Sequence, residues 1–220
     1  MKSNIRVSAN SPRIAKSNGA SGINRNTISA YALSVVGIIL VLNLCMHFDS
    51  FHSDMLFKGT STTSFIQKLM LLTSAFAFFN LRRWRKDLRN GLVFVSALFM
   101  VAFLYKSNYW IEAVFNVPWY FPALKFVAVA GIVAFRGGFG LYRELSEVFA
   151  SYTAKLILYA AIALALFMST LHLTIVWQYL LSSSYSDALM HSIKEGGQLA
   201  IFIFITIESI KTRITLKKQA

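Results

Sequence analysis

The stretch "MHSIKEGGQLAIFIFITI", residues 190–207, opens as polar sequence and closes as an apolar run. His191, Lys194, Glu195 and Gln198 stand at i, i+3, i+4 and i+7 in it, so a helix carries all four on one face. An ammonium, a carboxylate, an amide and an imidazole on one stripe can bind an ion, orient a small solute or pass a proton. Three more ionisable side chains interrupt apolar sequence elsewhere: Lys68, Lys125 and His172. Lys68 and Lys125 are suited to attract an anion, with Glu195, Gln198 and His172 orienting it or coupling it to protons. The histidines also admit a cofactor, since two of His47, His172 and His191 are the axial ligand set of a b-type haem. The one cysteine, Cys45, excludes an internal disulfide and a thiolate metal cluster.

These groups sit in a chain that is 56% hydrophobic and only 14% charged, with a mean hydropathy of +0.55. Soluble chains carry about 25% charged residues. A bilayer core of about 30 Å needs roughly 20 mostly apolar residues per helix. Six stretches qualify: 29–48, 62–81, 90–107, 119–136, 152–181 and 190–210. The expected fold is therefore all-α, a bundle of six transmembrane helices. The fifth stretch is long enough that it must tilt or project. The first follows a polar tail and lacks a cleavage site, so it is no signal peptide.

Orientation follows from where Lys and Arg fall, because basic loops stay cytoplasmic. Tail 1–28, "LRRWRKDLR" at 81–89, segment 136–155 and the C-terminal tail 211–220 hold seventeen of the 22 basic residues. The alternate loops hold Lys58 and Lys106 alone. Both termini are expected in the cytoplasm. Tyr105, Tyr109, Trp110, Trp119 and Tyr120 mark one interface, and Trp84, Tyr142 and Tyr152 the other. The net charge of +13 is then explained by topology and by anionic lipid headgroups, with no nucleic-acid partner required.

The Ser/Asn-rich segment 1–28 has no acidic residue and is expected to be disordered. The terminal "KKQA" has the form of a dilysine retrieval signal, which carries meaning in a eukaryotic chain alone. No HExxH, GxSxG or P-loop is present, so an enzyme is not the expectation. "RGGFG" at 136–140 lacks phosphate-loop spacing and is expected to end the fourth helix.

Counting from the outer end of each stretch, Lys68 and Lys125 lie roughly 9 Å deep, Glu195 about 8 Å, Gln198 about 12 Å and His172 about 14 Å. Asn43 and His47 occupy the last turns of the first helix. The polar groups thus fall in the outer half, as the lining of an outward-facing cavity would. Simpler roles compete: the lysines can snorkel, Glu195 can form a structural ion pair, and Gly196–Gly197 can serve close helix packing. Two functions follow. One is a channel- or transporter-like protein taking an ion or small anionic solute from outside. The other is a non-catalytic subunit or scaffold of a larger membrane complex. A homo-oligomer or larger complex in the bacterial inner membrane is the expected setting, or the endoplasmic reticulum for a eukaryotic chain.

Overall fold

A computed structural model describes residues 25–51, 61–135, 140–171 and 187–218. Among the described residues eight α-helices run in order: α1 (Arg25–Phe51), α2 (Thr62–Leu81), α3 (Arg89–Lys106), α4 (Asn108–Phe115), α5 (Tyr120–Phe135), α6 (Gly140–Ala150), α7 (Tyr152–Leu171) and α8 (Asp187–Lys218). A 3-10 turn, Lys86–Leu88, precedes α3, and no strand occurs among the described residues. The protein is all-α. Among the described residues three stretches, Thr62–Leu81, Lys86–Lys106 and Tyr152–Leu171, are long and apolar enough to cross a membrane. The pair α4–α5 makes a fourth if taken as one span, though it is bent by 109°.

The chain divides at Val36/Gly37. Of the first unit, the described part is the start of α1, where Leu33, Val35 and Val36 are exposed. The second unit holds the rest. In it α8 packs against α2 and α7, α3 packs against α2 and α5, and α6 lies against α3, α7 and the 3-10 turn. Leu71, Phe78, Leu81, Leu92, Ile157 and Phe202 form the main apolar core. Cys45 of α1 joins Leu199 and Ile203 of α8 in a smaller one.

Local chemistry sets the helix ends. The first N–H groups of α2 have no intrahelical acceptor. Asp49 accepts those of Thr62 (2.6 Å) and Thr63 (3.2 Å), and Ser61 Oγ accepts that of Ser64 (3.1 Å). A carboxylate there also complements the positive end of the helix. Ser107 separates α3 from α4, and Asn116, left-handed at φ 49°, ends α4 before Pro118 turns the chain into α5. Ser151 Oγ caps α7 by accepting from Ala154 N–H (3.3 Å).

Several expectations need revision. The tail expected over 1–28 gives way to helix at Arg25, and residues 1–24 lie outside the described residues. The C-terminal tail expected from 211 continues α8 to Lys218. Helices α4 and α6 were not anticipated. Both are short and amphipathic, a pattern that a search for 20-residue apolar runs passes over. The cap expected in "RGGFG" and residues 172–181 of the fifth stretch fall outside the described residues.

α6 and the basic turn after α2 hold each other. Arg85 binds Asp87 (2.6 Å) and Glu147 of α6 (3.0 Å). Glu144 of α6 accepts the backbone N–H of Gly91 at 2.7 Å, capping the uncapped start of α3. A Cβ at residue 91 would stand 3.1 Å from Glu144 Cβ, so glycine permits this approach. The hydrogen bond from Arg85 holds the Asp87 carboxyl below its ordinary value, and the same bond raises Arg85. A depressed carboxyl contributes stability above its unfolded value and loses it as pH falls through the folded one. Wild-type thermal stability should therefore decline below about pH 3.8. Asp87→Asn should flatten that decline, measured as melting midpoint against pH; identical curves would remove the bridge from the account.

Candidate functional site

Transfer of a charged or amide side chain out of water is costly unless partners replace the lost hydration. At the end of the bundle where α2 begins and α3 ends, such groups meet from three helices, and a thioether joins them from a fourth. Gln67 of α2 donates from Nε2 to the backbone O (2.9 Å) and to Oε2 (3.1 Å) of Glu195 on α8. Lys106, the last residue of α3, places Nζ 3.9 Å from Glu195 Oε1 and donates to Gln198 Oε1. Gln198 Nε2 in turn donates to Met168 Sδ of α7. Gln67 Oε1 is buried and receives no hydrogen bond.

The α8 stripe descends into the bundle. His191 is exposed, Lys194 and Glu195 are half-buried, and Gln198 is buried. Lys68 of α2 is 8% exposed and interacts electrostatically with Glu195. It makes no hydrogen bond or ion pair among the described residues. Lys106 feels Glu195, Lys194 and Lys68 together. Lys106 thus lies within electrostatic reach of two other ammonium groups and one carboxylate, and these four side chains carry a surplus of positive charge.

The other expected residues lie elsewhere. Lys125 is exposed on α5, with no hydrogen bond or ion pair to the cluster among the described residues. His47 is exposed on α1, and Asn43 donates to Ile39 O at 2.9 Å within the same helix. His172 lies outside the described residues. The structure thus joins Lys68, Lys194, Glu195 and Gln198 at one site. It adds Gln67 and Lys106, which sequence reasoning had not placed there. Lys106 had been counted with an outer loop because it ends an apolar stretch. Gln67 adjoins Lys68, and its polarity inside a span was the available signal. Of the two glycines, Gly197 is the packing one: a Cβ there would collide with the Phe167 ring, whereas at Gly196 nothing lies within 4 Å.

A second set of buried polar residues continues along α8. Thr206 bonds Ser74 of α2 (3.1 Å), and Thr212 bonds Thr153 of α7 (2.8 Å). Glu208, wholly buried, takes the Lys211 ammonium at 2.7 Å on Oε1, while its Oε2 has no hydrogen-bond partner. Sequence reasoning had treated this half as apolar, since isolated Ser and Thr barely lower the hydropathy of an Ile/Phe-rich run. Comparison with protein-family profiles, characterised proteins and solved structures gives no match for this chain.

Removing one member of a buried polar pair strands the other, at roughly 1–3 kcal/mol and more for a charge. Lys106→Met should lower the melting midpoint by several degrees through the stranded Glu195 carboxylate. Adding Glu195→Gln should recover part of the loss. Equal midpoints for wild type and Lys106→Met would show that water already solvates Glu195.

Proposed function

We propose that the chain is an integral membrane protein of six spans with cytoplasmic termini, and that its polar cluster accepts a small anion from outside for passage through the bundle. The alternation of basic loops supports the orientation. The distribution of side chains supports the medium. Leu33, Leu40, Leu124, Ile132 and Leu166 are each more than 60% exposed, whereas Gln67, Ser74, Glu208 and Thr212 are wholly buried. Such an arrangement suits an apolar solvent around a partly polar interior.

The observation that carries the functional reading is the charge imbalance among Lys68, Lys106, Lys194 and Glu195. A purely structural clasp is most stable when its charges cancel. A half-buried surplus of ammonium groups attracts an anion, and the Lys106–Glu195 pair fixes where it docks. Lys68 and Lys194 contact the solute in this reading. Gln67 and Gln198 orient the charged pair, and the uncovered Gln67 Oε1 offers an acceptor to a solute that carries a donor. The bacterial inner membrane is the setting we assign, with a homo-oligomer as the working unit.

One feature favours the second reading, a subunit of a larger membrane complex. The bonds linking Gln67, Glu195, Lys106, Gln198 and Met168 tie α2, α3, α7 and α8 together, as a static clasp would.

A melting series of the purified protein separates the two, using chloride, sulfate, phosphate, acetate and succinate at constant ionic strength. On the transport reading at least one anion raises the midpoint. Lys68→Gln should weaken that effect by about tenfold in half-saturating concentration, the equivalent of 1.4 kcal/mol. The same anion should then enter proteoliposomes. No selective stabilisation and no uptake would sink the anion reading and leave the complex subunit.

A further inference from the structure

Away from the polar cluster, α2, α3 and α5 leave a hollow of about 270 Å³ between them. Its walls are apolar: Phe76 and Phe79 from α2, Ala97 and Met100 from α3, Phe126 and Ala130 from α5. Alanines leave the space and phenylalanines flank it. The polar side chain on the lining, Ser96, has its hydroxyl committed to Ala75 O at 2.9 Å, so it offers no proton to a guest. The hollow therefore takes hydrocarbon. A slot between three helices with such walls suits an extended acyl chain laid along it.

One end of the hollow is charged. The Arg82 guanidinium lies 3.6 Å over the Phe79 ring, and Phe79 is part of the lining. Stacking engages the flat face of the guanidinium and leaves its N–H edge available. The Arg82 side chain makes no hydrogen bond or ion pair among the described residues. It belongs to "LRRWRKDLR", the basic segment at 81–89. A planar donor fork beside an apolar slot matches a phosphate ester attached to an acyl chain. Basic pockets between helices at the cytoplasmic face hold anionic headgroups in this way.

We propose that the α2–α3–α5 hollow is a binding site for one anionic phospholipid of the cytoplasmic leaflet, its phosphate on Arg82 and one acyl chain against Phe76, Phe79 and Phe126. The site rests on the membrane reading above and is independent of what the polar cluster binds. Its function is to hold α5, which among the described helices packs mainly on α3, against the bundle through a lipid.

The test is native mass spectrometry of the full chain, released from detergent containing equal amounts of dioleoyl phosphatidylglycerol and dioleoyl phosphatidylcholine. Wild type should retain one phosphatidylglycerol in preference to phosphatidylcholine. Arg82→Gln should cut that preference by about fivefold, the contribution of one basic side chain near a membrane surface. Ala97→Phe should abolish retention by filling the hollow. An unchanged preference in Arg82→Gln, or unchanged retention in Ala97→Phe, overturns the site. Wild type alone supplies a second measurement that needs no variant to fold. Phosphatidylglycerol with a diazirine on one acyl chain should crosslink within 72–79, 93–100 and 126–130. Adducts confined to α1 and α7 would overturn the proposal. Alkaline carbonate extraction reads membrane embedding by itself, so a failed lipid site and a failed membrane reading give different results.

Discussion

Helix α8 must bury a polar face, and the packing of the bundle follows from that requirement. Gln198, Thr206, Glu208, Ser209 and Thr212 are each less than 6% exposed along one helix. Left against hydrocarbon, each would forfeit hydrogen bonds that water no longer supplies. Thr206, Ser209 and Thr212 satisfy part of the demand by donating to the carbonyls of Phe202, Ile205 and Glu208 in their own helix. Neighbouring helices bring the rest: Gln67 and Ser74 on α2, Thr153 and Met168 on α7, Lys106 at the end of α3. These contacts fix the rotation of α8, because turning it by one residue would separate each pair. Apolar packing around Leu71, Phe78 and Phe202 adds dispersion contact, and it tolerates slippage that the polar pairs do not.

The two ends of α2 are built differently. Where α2 ends and α3 begins, Arg85, Asp87, Glu144 and Glu147 join the basic turn to the amphipathic helix, and Lys217 lies 4.1 Å over the Trp84 ring. Three acidic groups there answer Arg85 and the positive start of α3. Glu208, deeper on α8, has Lys211 for a partner. Where α2 begins, Asp49 is committed to Thr62 and Thr63. Among the described residues Glu195 is the carboxylate that Lys68 and Lys106 share.

Much of the architecture was legible in residue order. The stretch 62–81 coincides with α2, and 90–107 with α3 within one residue, because both are apolar runs ended by polar residues. The stripe from His191 to Gln198 is helical, and its inner members meet Lys68, as i, i+3, i+4 and i+7 spacing allows. Long-range pairing was not legible. Nothing local shows that Lys106, expected in a loop, turns back into the bundle, while Lys125, expected roughly 9 Å deep, stays exposed. Their fates depend on which helices α3 and α5 pack against, and apolar composition does not specify partners. Glu144 is similar: a carboxylate on a short loop-like segment gives no sign that it caps a helix more than fifty residues earlier.

The balance of charge is also what separates a site from a joint. Polar side chains between helices have two stable uses, holding the helices in register or receiving something from solution. A joint approaches self-sufficiency, with each donor answered and the charges summing to zero; Ser74–Thr206 and Thr153–Thr212 are of this kind. The cluster at Glu195 meets the first condition in part, through Gln67, Lys106 and Gln198, and fails the second. Lys68 is the decisive residue. It is nearly buried, makes no hydrogen bond among the described residues, and its nearest counter-charge is already shared with Lys106. A stem that only covered apolar surface would gain from lifting its ammonium to water. Lys68 instead lies beside a carboxylate that Lys106 already engages, and the proposal of a bound anion rests on that arrangement.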